Sequence, residues 1–193
     1  MGKWSDRVKY QGKYVNLGLR YQIDAANKIL ANSANGGEKE PLTLIQGSWS
    51  GASASAGTHT GSGAIDITPW NWKNRERVFR LLGMAMWDRP TLRGVWSHHM
   101  HGITDGDGGV SSSAKNQVKA YHNRRNGLAN NGADKGYRML VFPLFVFPEK
   151  ATGKPGRYWV TKAGDTYEQP TVIADKIRVL AKGKPFDVVA VVN

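Results

Sequence analysis

Cysteine is absent from all 193 residues. Disulfides and thiolate metal sites are therefore excluded, and any bound metal must take His, Asp or Glu ligands. Long apolar runs are absent as well. The longest, Met139 to Phe147, is interrupted by Pro143 and falls short of the roughly 20 residues that a membrane span requires. No apolar segment follows Met1 to Trp4, so no secretory signal is expected. Acidic residues are scarce: 15 Asp plus Glu stand against 27 Lys plus Arg, for a net charge of +12. That balance suits a polyanionic partner surface, either nucleic acid or a bacterial cell wall with its carboxylates and phosphates. No helix-turn-helix, RNP or zinc-finger pattern accompanies the charge to support nucleic acid, and the charge alone does not choose between the two. A monomer is expected.

What the chain does have is a concentration of histidine. Four of its five histidines lie in two short segments, Thr58-His59-Thr60-Gly61-Ser62-Gly63-Ala64-Ile65-Asp66 and Trp96-Ser97-His98-His99-Met100-His101. One His and one carboxylate from the first segment, with one His from the second, make a three-ligand set. A catalytic zinc uses such a set because its fourth position stays open.

The surrounding pattern indicates where these residues sit. Residues 8–17 read as two short strands around a turn at Gln11-Gly12. Leu19, Ile23, Ala26, Ile29 and Leu30 recur at helical spacing between Gly18 and Ala31, and Asn35-Gly36-Gly37 is expected to end that helix. Leu42 to Ile45 reads as a buried strand, and Gly47 to Gly63 as a loop. In Ala64-Ile65-Asp66-Ile67 the two isoleucines share one face, which turns Asp66 to the other. A helix is predicted over Lys73 to Trp87, closed by Pro90, with Val78, Leu81, Leu82 and Met86 on one side. Val95 to Ile103 reads as a strand in which His99 and His101 point to one face and His98 to the other. Ser111 to Arg125 reads as a helix and 126–134 as a loop. Gly153 to Gly156 reads as a linker. Beyond it, Tyr158-Trp159-Val160, Lys176 to Leu180 and Phe186 to Val189 suggest short strands, with a turn at Lys182-Gly183-Lys184. The expected organisation is one domain over 1–150 and a small β module over 157–193.

The segment from Ser55 to Asp66 resembles the first zinc motif of the D-Ala-D-Ala carboxypeptidases and endolysin peptidases. In that motif a His is followed seven positions later by an Asp, with glycines and an alanine between. His99-Met100-His101 resembles the His-x-His strand of the same superfamily, which includes the hedgehog signalling domain. Gln46-Gly47-Ser48 and Gly127-Leu128-Ala129 are similar to an actinobacterial and phage branch. The resemblance covers residues 8 to 135. It implies an α+β fold in which an antiparallel sheet with flanking helices carries zinc on one face. The implied metal ligands are His59, Asp66 and His101, with His99 beside the reacting water. Many members place a Glu shortly before the last His; residues 96–100 contain none, and His99 is the candidate for proton transfer in its place. The piece from Tyr158 onward resembles bacterial SH3-like wall-binding modules, although the chain ends earlier than these usually do.

The resemblance thus implies a zinc metallopeptidase acting on peptidoglycan, as a phage endolysin or a wall hydrolase. A phage lysin would be made in the host cytoplasm and act at the wall. The alternative is a non-catalytic zinc-binding or wall-binding module of the same fold. Gln46, Ser53 and Ser55 are candidates to donate to a developing oxyanion. Trp49 is the first candidate for a cleft wall, ahead of Trp70 and Trp72. His122 reads as a surface residue and Arg124-Arg125 as solvated. Asp105-Gly106-Asp107-Gly108-Gly109 reads as a turn, since the twelfth position of a calcium loop would be Asn116 rather than Glu.

Overall fold

The computed structural model describes residues 3, 5–32, 37–51 and 55–136, together with a strand pair at 179–181 and 184–186. The first elements follow the pattern in the sequence. Strands β1 (Arg7–Tyr10) and β2 (Lys13–Asn16) pair antiparallel, with Tyr10 opposite Lys13. Between them Gln11 and Gly12 both take positive φ, the two-residue turn whose twist matches that of the strands. Helix α1 (Leu17–Ala31) follows at once and buries Leu19, Ile23, Ala26, Ile29 and Leu30. It ends at Ala31, ahead of the Asn35-Gly36-Gly37 stop. Asn16 precedes the helix without capping it through its side chain. Its amide instead donates to Asp107 (3.2 Å) and accepts from the Gly63 N–H (3.3 Å), tying the hairpin to two loops.

Strand β3 runs Leu44–Gln46, two residues later than expected at its start. Leu42 is buried all the same, but side chains satisfy its backbone: its N–H donates to Asn27 Oδ1 (2.7 Å) and its carbonyl accepts from Gln11 Nε2 (2.7 Å). A residue clamped in this way needs no ladder partner. Strand β4 is Ala64–Ile67, as expected.

The predicted helix over 73–87 is corrected. Helix α2 covers Trp72–Leu81 only, and Met84–Arg89 forms strand β5. Gly83 has φ +81°, a left-handed conformation that ends helices and that residues with a Cβ resist. Beyond it the side chains alternate. Met84 and Met86 enter the main core, whereas Ala85 and Trp87 enter a second cluster on the opposite face. Met86 is therefore a strand residue, not part of a helical stripe. Strand β6 covers His99–Thr104 rather than beginning at Val95. Residues 92–96 close on themselves through the Leu92–Trp96 bridge instead. Helix α3 (Ser112–His122) is capped by Ser111 Oγ, which accepts from the Ala114 N–H at 3.1 Å.

The fold is α+β. Among the described residues, three α-helices accompany a four-stranded antiparallel sheet of order β3-β4-β6-β5 and the β1-β2 hairpin. One sheet face, with Ile65, Ile67, Met84, Met86 and Met100, packs on α1 and α2 as the main core. The other face carries Ala64, Ala85, Trp87 and Ile103 under Val110 and Ala114. No helix among the described residues is long and apolar enough to cross a membrane. Near the end of the chain β7 (Val179–Ala181) pairs antiparallel with β8 (Lys184–Phe186). Lys184 thus belongs to a strand, not to the turn. The linker at 153–156 and the strand at 158–160 lie outside the described residues, as does the remainder of the expected wall-binding module.

Candidate metal centre

The second sheet face continues toward β3 as a cleft of about 360 Å³. The ladder builds its floor. Asp66 of β4 lies opposite His101 of β6, which lies opposite Trp87 of β5. One step along, and on the same face, His99 lies opposite Arg89. Alternation thus places Asp66, His99 and His101 together, as their spacing predicts.

His59 reaches the same point from a different element. It sits in a single 3-10 turn, Thr58–Thr60. The chain is laced down on both sides of it: Ser50 N–H donates to the His59 carbonyl (2.8 Å) and Trp49 N–H to Gly61 O (3.0 Å). Gly61 is needed there because a Cβ would lie 2.5 Å from Gly109 O and 2.6 Å from Ser111 N. The glycines of the motif therefore dock its loop against residues 109–111.

Three potential ligand atoms converge. His101 Nδ1 is 2.7 Å from Asp66 Oδ1, His59 Nε2 is 3.3 Å from the same oxygen, and the two imidazole nitrogens are 3.3 Å apart. All three residues are buried. The outer nitrogens are also engaged. His59 Nδ1 lies 2.9 Å from the Gly47 carbonyl and His101 Nε2 3.0 Å from Gln117 Oε1. Both partners are acceptors, so each outer nitrogen carries the proton and donates. The inner nitrogens of neutral rings then present lone pairs to a carboxylate oxygen at contact distance. Such a cluster of acceptors requires a cation or an extra proton at its centre.

The electrostatics favour the cation. Burial alone would raise the Asp66 carboxyl; hydrogen bonds and charge from the His101 and His59 side lower it well below the usual carboxylate range, an effect that needs a proton or other positive charge at the centre. Burial pushes His101 down, against the pull of Asp66, so a protonated imidazolium is disfavoured. An ionised carboxylate and two neutral imidazoles suit a divalent ion such as zinc.

His99 stands beside this group. Its Nδ1 lies 2.7 Å from the Ser97 carbonyl and donates to it, which leaves the Nε2 lone pair 4.0 Å from Asp66 Oδ1. His98 is outside the strand and pairs with Asp88 (2.7 Å), although it also lines the cleft. Gln46 lies opposite Asp66 on β3. Its amide nitrogen donates to Ser50 Oγ (3.1 Å) and Ser55 Oγ (2.7 Å). Ser55 lines the cleft, and Ser53 lies outside the described residues. The aromatic wall is corrected from Trp49 to Trp96, which lines the cleft with its ring edge-on to His99 (6.2 Å, 86°). Trp49 instead lies under the Arg7 guanidinium, 5.2 Å from its ring centroid. Trp70 is exposed, and Trp72 packs against the main core. His122 is exposed and pairs with Asp105, as a surface residue should. Asp107 accepts from Ser62 Oγ and the Gly109 N–H within its turn.

Sequence reasoning missed three participants. Gln117 was hidden because it sits on a helix far along the chain from His101. Trp87 was hidden by its place at the end of the predicted helix and Arg89 by its position just beyond it, because the strand they share was not foreseen. No protein-family model, curated protein or solved structure matches this chain.

Proposed function

We propose that this protein is a zinc-dependent peptidase that hydrolyses peptide bonds of bacterial peptidoglycan, as an endolysin or wall hydrolase of the hedgehog/DD-peptidase type. The observation that carries the metal assignment is the convergence of His59 Nε2, His101 Nδ1 and Asp66 Oδ1, with both outer ring nitrogens held by acceptors. The substrate assignment rests on the resemblance of the two histidine motifs and on the +12 charge, which suits an anionic wall. When bound, zinc supplies Lewis acidity toward water and toward a carbonyl oxygen.

The chain's own groups supply the rest. His59, Asp66 and His101 would hold the ion. His99 Nε2 accepts a proton from the attacking water and returns it to the departing nitrogen, with Ser97 O fixing the ring's tautomer. With the Gln46 amide directed at Ser50 and Ser55, the Ser55 hydroxyl is the donor left to face a developing oxyanion. Gln46 then acts by orienting Ser55. Trp96 walls the cleft and restricts water around the reacting bond.

One observation favours a non-catalytic zinc-binding module: Asp66 is the one carboxylate among the described lining residues, so no Glu serves as base. Purified peptidoglycan separates the two readings. The protein is assayed as made, after chelation and after zinc is restored, alongside His59→Ala. Chelator-sensitive, zinc-restored release of new amino groups, absent from the variant, is the expected result. Stoichiometric zinc without release would overturn the peptidase reading.

A further inference from the structure

The outer face of the β1-β2 hairpin carries unused positive charge. Alternation puts Arg7 and Lys9 of β1 on that face, with Tyr14 of β2 directly across from Lys9. The inner face turns Val8, Tyr10 and Val15 to the main core. Arg7, Lys9 and Tyr14 are all exposed. The Arg7 guanidinium lies 3.8 Å from the centroid of the Tyr14 ring and 5.2 Å from that of Trp49. Stacking of this kind uses the flat face of a guanidinium and leaves the N–H donors in its plane free. Among the described residues no hydrogen bond or ion pair engages the Arg7 guanidinium or the Lys9 ammonium. Asp6, next to Arg7 in the chain, accepts from the Lys3 backbone N–H instead (2.6 Å). Trp49 is held against Arg7 under strain. Its φ of +53° lies in the left-handed region, which a bulky side chain seldom adopts. Neighbouring bonds enforce it: Ser48 N–H donates to the Tyr14 carbonyl (2.8 Å), Trp49 N–H to Gly61 O (3.0 Å) and Ser50 N–H to the His59 carbonyl (2.8 Å). Those bonds join the hairpin to the loop that carries His59. Backbone strain kept in place by its surroundings, beside unpaired cations, points to a binding role.

We propose that Arg7, Lys9, Tyr14 and Trp49 form an anchoring surface, outside the metal cleft, for a phosphodiester-linked anionic polymer of the bacterial wall. The proposal rests on the peptidase reading for the source of that polymer. Charge complementarity supplies the attraction, since the chain carries +12 and the cations of this face are unpaired. The ring stack supplies the selectivity. It orients the planar fork of Arg7 in advance, and such a fork grips a phosphate through two parallel N–H···O bonds, which the point charge of Lys does not reproduce. Single-stranded nucleic acid also carries phosphodiesters, but it is anchored by bare rings on which its bases stack. Here Arg7 already covers Tyr14, so the surface offers donors for an anion rather than an open platform for a base. A polymer held on this face is retained next to the loop that supplies His59, which keeps the cleft at the wall between cuts.

The test measures binding of purified poly(glycerol phosphate) teichoic acid to the full chain by calorimetry, at one fixed low salt concentration. Arg7→Ala is expected to weaken binding about tenfold, and Arg7→Lys to recover only part of that loss. Tyr14→Ala removes no charge, yet is expected to weaken binding about threefold through loss of the stack. Lys119→Ala removes the same charge from an exposed position on α3 and is expected to change binding less than about twofold. Melting curves show whether each variant is folded; if Tyr14→Ala is not, the contrast between Arg7→Ala and Lys119→Ala decides. No binding, equal losses for Arg7→Ala and Lys119→Ala, or no loss in a folded Tyr14→Ala would each overturn the surface. Tighter binding of oligo(dT) than of teichoic acid, lost in the same variants, would assign the face to nucleic acid and overturn the proposal as well. Hydrolysis of teichoic-acid-free peptidoglycan by a chain that does not bind the polymer overturns the surface and leaves the peptidase reading standing. Binding that depends on Arg7 and Tyr14, in a chain that releases no amino groups, supports the surface and removes the peptidase reading.

Discussion

At the residue scale, the metal centre is defined by hydrogen bonds made away from it. Gly47 O and Gln117 Oε1 each hold the outer nitrogen of one histidine, so the inner lone pairs face Asp66 before any ion arrives. Gln117→Leu is expected to leave the protein folded and to weaken zinc 10–100-fold. Competition with a chromophoric chelator measures this, and unchanged affinity would refute the positioning role. His99→Ala, by contrast, should retain one zinc per chain while hydrolysis of peptidoglycan falls by about 10²–10⁴. The two variants separate holding the ion from moving the proton, because Gln117 touches a ligand and His99 lines the cleft.

At the element scale, the site depends on one helix ending early. Had α2 continued to Trp87, no strand would lie beside β6, and Trp87 and Arg89 would not reach the cleft face. Gly83 makes the break, so Gly83→Ala should destabilise the protein by about 1–2 kcal/mol, read as a lowered urea midpoint. The reverse face holds the sheet in place. Met100 is fully buried between the strands and the helices, and Met100→Ala should cost about 2–5 kcal/mol. Both effects should appear with and without zinc, since the Met100 side chain packs in the main core on the face opposite the ligands and Gly83 lies outside the strands that carry them. Much at this scale was legible in the sequence. The hairpin turn, the apolar spacing of α1, and the alternation that turns Asp66 away from Ile65 and Ile67 are all local. The end of α2 was not legible, because Val78, Leu81, Leu82 and Met86 fit a helical stripe. Only the burial of Met84 and Met86 in one cluster, with Ala85 and Trp87 in the other, separates period 2 from period 3.6 over so short a stretch.

At the scale of the whole molecule, the centre couples acidity and metal to folding. The Asp66 carboxyl is held below its ordinary value in the folded chain. It therefore contributes stability that is present above about pH 4 and lost as pH falls further. His101 is lowered by burial. Below about pH 6.5 the unfolded chain binds a proton that the folded one resists, so stability also falls with pH there. The two slopes have the same sign. Urea midpoints of the metal-free protein should decrease from pH 7.5 to 5.5 and again to 4, and a flat profile would contradict the assignment. Zinc at 100 times its dissociation constant should add about 2.7 kcal/mol at pH 7.5, and His59→Ala should abolish that increment. Acid should erode the increment as well, because protons compete for the same lone pairs.

The sequence by itself determined the chemistry on offer: no thiolate, two histidine segments, one carboxylate seven positions after His59, and an alternation that places that carboxylate and two histidines on sheet faces. Those features depend only on residue type and on the backbone period, which are local. The tertiary structure alone decided that His59, carried by a separate turn, meets Asp66 and His101, that Gln117 holds the outer nitrogen of His101, and that Arg89 lines the cleft. Each depends on contact between residues distant in sequence. Such contacts are set by which strands pair and which faces bury, and no local spacing encodes them.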